Sequence, residues 1–120
     1  MLSYKWLVHK GKRILYMNLG TENPEELKDI TSRIELDIEK EPPKSISCIC
    51  NVKGVVIKPE IIQILKDFTK HNEPYMNMTA VIGVEGLKLI IFNSLLVFTR
   101  RKNLVLKNSE EEVLEWLIEQ

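Results

Sequence analysis

The sequence predicts an α/β fold, with a mixed sheet of about five strands and helices in the order ββαβαβαβα. Two short apolar runs around one glycine open the chain and predict an antiparallel hairpin. After the hairpin, helical and strand patterns alternate to the end, which predicts parallel strands joined by right-handed crossovers. No repeat or linker interrupts this order, so we expect one domain over residues 1–120.

The first two strands are predicted from alternation and from a turn signal. Tyr4, Trp6 and Val8 alternate with other residues, and residues 13–19 form a second run rich in apolar side chains. The glycine in the stretch 10–12 predicts the turn between them. We expect the aromatic side chains of this hairpin, including Tyr4 and Trp6, to pack against the last helix.

The first helix has a clear start and a clear end in the sequence. Asn23 is a favourable cap, Pro24 suits the first helical position, and Glu26 lies three residues after the cap. The apolar face repeats at helical spacing, and the prolines at 42 and 43 prevent the helix from continuing. Its predicted buried residues are Leu27, Ile30, Ile34 and Ile38.

The central stretch, residues 45–68, predicts a buried strand, a turn and a helix. Residues 46–52 form a short apolar run with β-branched side chains, as in a strand covered on both faces. Gly54 suits a turn, and Pro59 suits the first position of the next helix. That helix therefore begins beside the carboxyl end of the strand, where open α/β sheets bind ligands.

Four residues of this stretch are predicted to face a ligand or partner, because they connect the strand to the helix. Free N–H groups at a helix start attract anions, and two lysines flank this start. In the alternative interpretation, water caps the helix and both lysines are solvated. The predicted residues are Asn51, Lys53, Gly54 and Lys58.

The last part of the chain predicts two more strands and two more helices. Strands are predicted at 76–84 and 103–107, with a helix from Gly86 to about Arg101 between them. Ser109 and Glu112 have the spacing of a capping box and begin the last helix.

The helix predicted at 86–101 is apolar around most of its circumference, whereas a surface helix needs one apolar stripe. Three interpretations stay open: packing inside the core, a face for a protein partner or a second copy of the chain, and contact with lipid or an anionic membrane surface. The residues predicted for a partner or membrane face are Leu89, Phe92, Leu96, Arg100 and Arg101.

Composition excludes several classes of function. The 17 basic and 17 acidic side chains give zero net charge, which argues against nucleic-acid binding. No signal peptide is visible and no apolar run reaches the roughly 18 residues of a membrane span, so we expect a cytoplasmic protein. His9 and His71 are the only histidines, and neither they nor Cys48 and Cys50 form a catalytic or metal-binding pattern. We therefore expect no enzymatic activity, no metal and no cofactor.

Five motifs distributed over nearly the whole chain resemble the SpoIIAA-like group of the STAS superfamily, the STAS/SEC14 domain proteins. The resemblance implies a STAS-like sheet of four or five strands with helices, and a role in binding rather than catalysis. In a SEC14-type protein, a helix like the one predicted at 86–101 would line an apolar pocket. The motifs are residues 11–16, 51–54, 68–75, 80–87 and 109–112, followed by Trp116.

One departure from the superfamily limits what the resemblance implies. Its anti-sigma-factor antagonists carry a phosphorylatable serine at the start of the helix after the central strand. Residues 58–61 occupy that place here and contain no hydroxyl group, so the phosphorylation switch is absent from this position. Glu60 places a fixed negative charge in the first turn instead.

Two functional hypotheses follow. In the first, the chain is a non-enzymatic binding or regulatory module that binds a protein partner, or a small and partly apolar ligand, at the strand ends around residues 51–58. In the second, it associates peripherally with membranes through the helix predicted at 86–101.

Overall fold

A computed structural model describes residues 2–84, 103–107 and 110–118 of the chain. Within these residues, five strands form one sheet in the order β1-β2-β3-β4-β5. The strands are β1 (Ser3–His9), β2 (Lys12–Asn18), β3 (Ile46–Asn51), β4 (Met76–Ile82) and β5 (Leu104–Leu106). The helices are α1 (Pro24–Ile38), α2 (Pro59–Asn72) and α3 (Glu110–Ile118), and a 3₁₀ turn spans Glu73–Tyr75.

The N-terminal hairpin forms as predicted. β1 and β2 pair antiparallel without interruption, from Ser3 opposite Asn18 to His9 opposite Lys12. The two residues between them, Lys10 and Gly11, have φ values of 49° and 81°. Positive φ at both central residues defines a type I′ turn, whose twist matches that of the two strands.

The strands after the hairpin are parallel, which confirms the predicted mixed α/β sheet. β2 pairs with β3, β3 with β4 and β4 with β5, all in parallel. Asn18 pairs with Asn51, and Asn51 pairs with Ile82, so β2, β3 and β4 end in register. Three loops therefore leave the same edge of the sheet side by side.

Helices α1 and α2 cover one face of the sheet. Their buried side chains pack with alternate residues of β2 and β3 in the larger of two apolar clusters. Fully buried members include Leu15 and Leu19 on the sheet side, and Ile34 on α1 and Ile61 on α2. The predicted apolar stripes of both helices are therefore the faces that the fold buries.

Helix α3 covers the opposite face. Val113 and Leu117 are completely buried against Ile14 and Ile49. Lys12 Nζ donates to the carbonyl oxygen of Leu117 at 2.9 Å, where a cation interacts favourably with the end of a helix.

The expected packing of the hairpin aromatics against the last helix is wrong for two of them. Tyr16 and Trp116 share the cluster beneath α3. Tyr4 and Trp6 belong to the cluster beneath α1 and α2. Successive side chains on a strand point to opposite faces of the sheet. Trp6 pairs with Leu15 and shares its face, whereas Tyr16 is the next residue after Leu15 and points to the opposite face.

The observed strand ends differ slightly from the predicted ones. The runs predicted at 13–19, 46–52 and 76–84 end one or two residues earlier, at Asn18, Asn51 and Ile82. At the third end, Gly83 adopts a φ of 86°, which stops the extended conformation. The helix predicted at 86–101 lies outside the described residues, together with Leu89, Phe92, Leu96, Arg100 and Arg101.

A histidine joins the C-terminal ends of α1 and α2. His71 Nε2 lies 2.8 Å from a carboxylate oxygen of Glu39, and its Nδ1 lies 2.8 Å from the side-chain oxygen of Asn72. Partial burial lowers the pKa of His71, but these two hydrogen bonds and the charges of Glu35 and Glu39 outweigh it, so the net pKa is raised. The protonated ring is therefore the form that the fold favours.

We expect this contact to stabilise the protein only while His71 is protonated. Because the folded pKa is raised, the contribution is complete below the unfolded value of about 6.5 and is lost as pH rises through the folded pKa. Its size should be about 1 kcal/mol or less, because Glu39 is half exposed. Urea denaturation of wild type and His71→Gln on both sides of that range measures it, and Glu39→Gln should remove most of the pH dependence. A difference that stays constant with pH would contradict this assignment.

Candidate functional site

The edge where β2, β3 and β4 end is the candidate site, and we call its loops the carboxyl rim. The carboxyl rim consists of residues 19–23 after β2, residues 52–58 after β3, and residues 83 and 84 after β4. It lies at the centre of the sheet because β3 is the middle strand of five. This is the edge where open α/β sheets bind ligands.

Two asparagines that pair in the sheet fix the first two loops. Asn18 Oδ1 accepts a hydrogen bond from the backbone N–H of Gly20 at 3.2 Å, and Asn51 Oδ1 accepts one from Lys53 at 3.0 Å. In each case an asparagine carbonyl binds the backbone two residues on, as in an Asx-turn. Asn51 Nδ2 also donates to the Tyr16 hydroxyl at 3.1 Å, which fixes the amide orientation.

Backbone hydrogen bonds extend the sheet one residue into the rim. The N–H of Leu19 donates to the carbonyl of Asn51 at 2.9 Å, and the N–H of Val52 donates to the carbonyl of Ile82 at 3.0 Å. Val52 is itself 2% exposed, so the start of the second loop belongs to the core. The rim is therefore a continuation of the sheet in its first residues.

Two glycines enclose the backbone of Lys53. A Cβ atom on Gly20 would lie 1.9 Å from the Lys53 carbonyl oxygen, and one on Gly83 would lie 2.6 Å from the Lys53 nitrogen. Neither distance is compatible with a side chain, so both positions require glycine if the loops keep this geometry. The Lys53 backbone is consequently fixed on two sides, whereas its side chain is exposed.

The starts of α1 and α2 differ in how their N–H groups are satisfied. At α1, Asn23 Oδ1 accepts from Glu25 and Glu26 at 2.9 and 3.3 Å, which confirms the predicted cap. At α2, the capping position is Lys58, which makes no side-chain capping hydrogen bond. Its ammonium instead donates to the carbonyl of Glu22 at 3.3 Å and so links the two helix starts.

An open cavity of about 500 Å³ lies between these two helix starts. The described residues that line it carry three carboxylates and one ammonium, so its charge is negative on balance. This charge disfavours a phosphate or another small anion at the α2 start, and Glu60 contributes to it from the first turn. The lining residues are Glu22, Asn23, Pro24, Glu25, Lys58 and Glu60.

All four residues predicted at this edge lie at the end of β3 or in the loop that follows, but they have different roles. Lys58 lines the cavity, whereas Asn51, Lys53 and Gly54 are not among the lining residues. Asn51 is occupied by its two hydrogen bonds. Gly54 supplies a φ of 98° for the turn, and Lys53 presents an exposed side chain.

Sequence reasoning missed Gly20, Gly83 and Asn18, which hold the rim together. A signal for them was present, since each of the three strands that end at the rim, β2, β3 and β4, is followed within three residues by a glycine. An asparagine also ends both β2 and β3. The signal was incomplete because sequence spacing does not show which backbone each glycine approaches.

The two cysteines lie in the core, away from the rim. Cys48 is completely buried and its Sγ lies 3.2 Å from the Thr79 hydroxyl oxygen. Burial and the neighbouring Cys48 raise the pKa of the Cys50 thiol far above its usual value, which keeps that thiol unreactive. In the part of the chain that the structure describes, no group of three His, Cys, Asp or Glu side chains could hold a metal ion.

Comparison with known proteins gives a match in structure but none in sequence. No protein-family model and no curated protein matches this sequence. The chain is similar in structure to an uncharacterised protein of the DUF3478 family from Shewanella loihica PV-4, whose crystal structure has a SpoIIAA-like fold. The TM-score is 0.76 at 13% identity, over 97% of this chain and 93% of the other. The present chain therefore has the SpoIIAA-like fold that its sequence motifs implied.

Proposed function

We propose that this chain is a non-enzymatic binding module that binds a protein partner on the carboxyl rim. The observation that carries the proposal is the position of Lys53, whose backbone is enclosed between Gly20 and Gly83 while its side chain is exposed. A side chain on a rigid backbone loses little backbone entropy when it binds. The Lys53 ammonium has no hydrogen bond or ion pair with another described residue.

The shape and charge of the adjacent cavity favour a protein over a small ligand. Small-molecule sites are usually enclosed and mostly apolar. This cavity is open, and four of its six described lining residues are charged. A partner surface that carries basic groups opposite Glu22, Glu25 and Glu60, and an acidic group opposite Lys53, would complement the rim.

We expect Lys53→Glu to weaken partner binding without affecting stability. The side chain is exposed, so the fold should be unchanged, whereas the reversed charge should weaken association at least about tenfold. The matched control is Lys28→Glu, which reverses another exposed lysine, on α1 and outside the residues that line the cavity. The measurement is affinity capture from cell extract with the three proteins, followed by titration of the captured partner at two salt concentrations.

A partner retained equally by all three proteins would contradict the proposal. A small molecule that co-purifies with the chain, is detected by native mass spectrometry and occupies the rim in place of a protein would also contradict the proposal. A partner lost from Lys28→Glu as strongly as from Lys53→Glu would mean that general charge, and not the rim, determines binding.

The membrane hypothesis rests on the sequence of residues 86–102 and stays a prediction. Among the described helices, none is long and apolar enough to cross a membrane. Peripheral association would appear as co-sedimentation with anionic liposomes that weakens as salt is added. Absence of co-sedimentation at low salt would exclude it.

A further inference from the structure

The outer edge of β1 is a second surface, separate from the carboxyl rim. Among the strands that the structure describes, β1 is the first of the sheet and pairs with β2 on one side only. At the opposite side of the sheet, β5 has three residues, whereas β1 has seven. A long edge strand presents a row of unpaired backbone groups that can pair with another strand.

The type I′ turn determines which backbone groups of β1 face outward. In a two-residue hairpin, the residues flanking the turn form a hydrogen-bonded pair, here His9 with Lys12. The hydrogen-bonded positions then alternate along the strand. Tyr4, Trp6 and Val8 therefore direct their N–H and carbonyl groups away from β2.

β1 carries few of the features that protect an edge strand from pairing. It contains no proline, and its pairing with β2 has no bulge. Lys5 is the one Lys or Arg within the strand; its side chain is exposed, and its Nζ lies 6.0 Å from the centre of the Tyr16 ring on β2. A second strand can therefore pair with β1 only in a register that keeps Lys5 away from another basic side chain.

An exposed apolar side chain marks the same strand. Val8 is 71% exposed. Among the described residues, the other exposed large apolar side chain is Leu36 on α1, which is 62% exposed. A β-branched side chain packs favourably against an aromatic neighbour across a strand pair. Val8 therefore gains contact area if a second strand pairs with β1.

We propose that a second copy of this chain pairs with the free edge of β1, so that the two sheets join antiparallel about a twofold axis at Trp6. In this register Tyr4 lies opposite Val8 of the partner subunit, and the reciprocal pair forms by symmetry. Each of these pairs joins an aromatic and a β-branched side chain.

Charge and strand length select this register over its neighbours. An axis at Lys5 would place the two Lys5 side chains opposite each other, and an axis at Leu7 would leave Ser3 and Tyr4 without an opposite residue in β1 of the partner subunit. Like charges directly opposite each other destabilise a strand pair. With the axis at Trp6, Lys5 lies opposite Leu7 of the partner subunit, and no two basic side chains are directly opposed.

Association through one edge strand is expected to be weak. Seven residues on each side bury an area at the low end of protein interfaces, below about 1,200 Å² in total. The dimer should therefore form at high concentration and dissociate on dilution. Sedimentation velocity over a wide range of protein concentration detects this equilibrium.

Amide exchange identifies the strand that pairs. In the monomer, the N–H groups of Tyr4, Trp6 and Val8 face solvent, and in the dimer they become protected. The N–H groups of Lys5 and Leu7 on the same strand bond to β2 in both states and serve as the internal control. Protection of the outward set should increase with concentration, and protection of the inward set should not.

Two variants complete the test. Val8→Pro removes an outward N–H without removing a bond to β2, and should weaken dimerisation about tenfold or more. Leu36→Lys changes the other exposed apolar side chain and should have no effect. Lys53→Glu should also leave the dimer intact, so failure of the rim proposal and failure of this one are distinguishable.

Three outcomes would overturn the proposal. The first is a chain that stays monomeric at the highest concentration reached. The second is a dimer in which the outward amides exchange as fast as in the monomer. The third is a dimer that is disrupted by Leu36→Lys but not by a Val8→Pro variant that remains folded. That result would place the interface elsewhere on the surface.

Discussion

Gly20→Ala is expected to destabilise the protein by about 3 kcal/mol, the upper part of the usual cost of overpacking. The new methyl group would lie 1.9 Å from the Lys53 carbonyl oxygen, so one of the two rim loops must move. Neither can move easily, because Leu19 and Val52 are hydrogen-bonded to the ends of neighbouring strands. Urea denaturation measures the loss as a lower midpoint at an unchanged slope.

Gly11→Ala is the matched control for this substitution. Gly11 has a φ of 81° but nothing within 4 Å of an added Cβ, so alanine there meets only the cost of the left-handed conformation, about 1–2 kcal/mol. A clearly larger effect at Gly20, whose φ is not in the left-handed range, would show that the close approach to Lys53 is responsible. Equal effects at both glycines would contradict this explanation.

Gly20→Ala also tests whether rim geometry matters for function. If the variant remains folded in dilute buffer, displacement of Lys53 should weaken partner binding beyond what the loss of stability explains. A folded variant that binds with unchanged affinity would show that Lys53 does not need its fixed backbone.

Ile61→Ala is expected to cost about 3 kcal/mol, as for other fully buried aliphatic side chains replaced by alanine. Ile61 is 0% exposed and lies in the first turn of α2, where it fixes the helix start to the core beside the rim. Its loss leaves a cavity that the surrounding strands and α1 can fill only in part. The expected local consequence is faster amide exchange in the first turns of α2.

The neighbouring Ile62 provides the control, because it has the same side chain in the same turn but is only partly buried. Ile62→Ala should cost less than half as much. Ile62 is only partly buried in the wild-type protein, so its truncation removes less buried apolar surface than truncation of Ile61. Thermal or urea denaturation of both variants gives the two values. A larger loss at Ile62 than at Ile61 would contradict the assigned buried face of α2.

Much of the fold was predictable because local patterns in the chain agree with the tertiary structure. The capping asparagine and proline at 23 and 24 begin α1 where predicted, and Pro59 begins α2. The alternation of strands and helices gave the parallel order of β2 to β5. Local and tertiary preferences coincide at these positions, which is typical of a sequence that specifies one structure.

The candidate site was predictable only in its location. The sequence placed Asn51, Lys53, Gly54 and Lys58 at the end of the central strand, and the structure places them there. The negative balance of the cavity, in contrast, arises because Glu22 and Glu25 come from a loop and helix more than 25 residues away in the chain. No pattern within residues 51–58 contains that information.

The amino-acid sequence by itself determined the elements, their order and the helix faces that are buried, because these depend on neighbours within one or two turns of the chain. Tertiary structure alone decided which hairpin aromatics face which helix layer, why Gly20 and Gly83 must lack side chains, and which edge of the described sheet stays unpaired. Those properties depend on distances between backbones that the chain brings together from remote positions, and such distances follow from packing of the whole sheet.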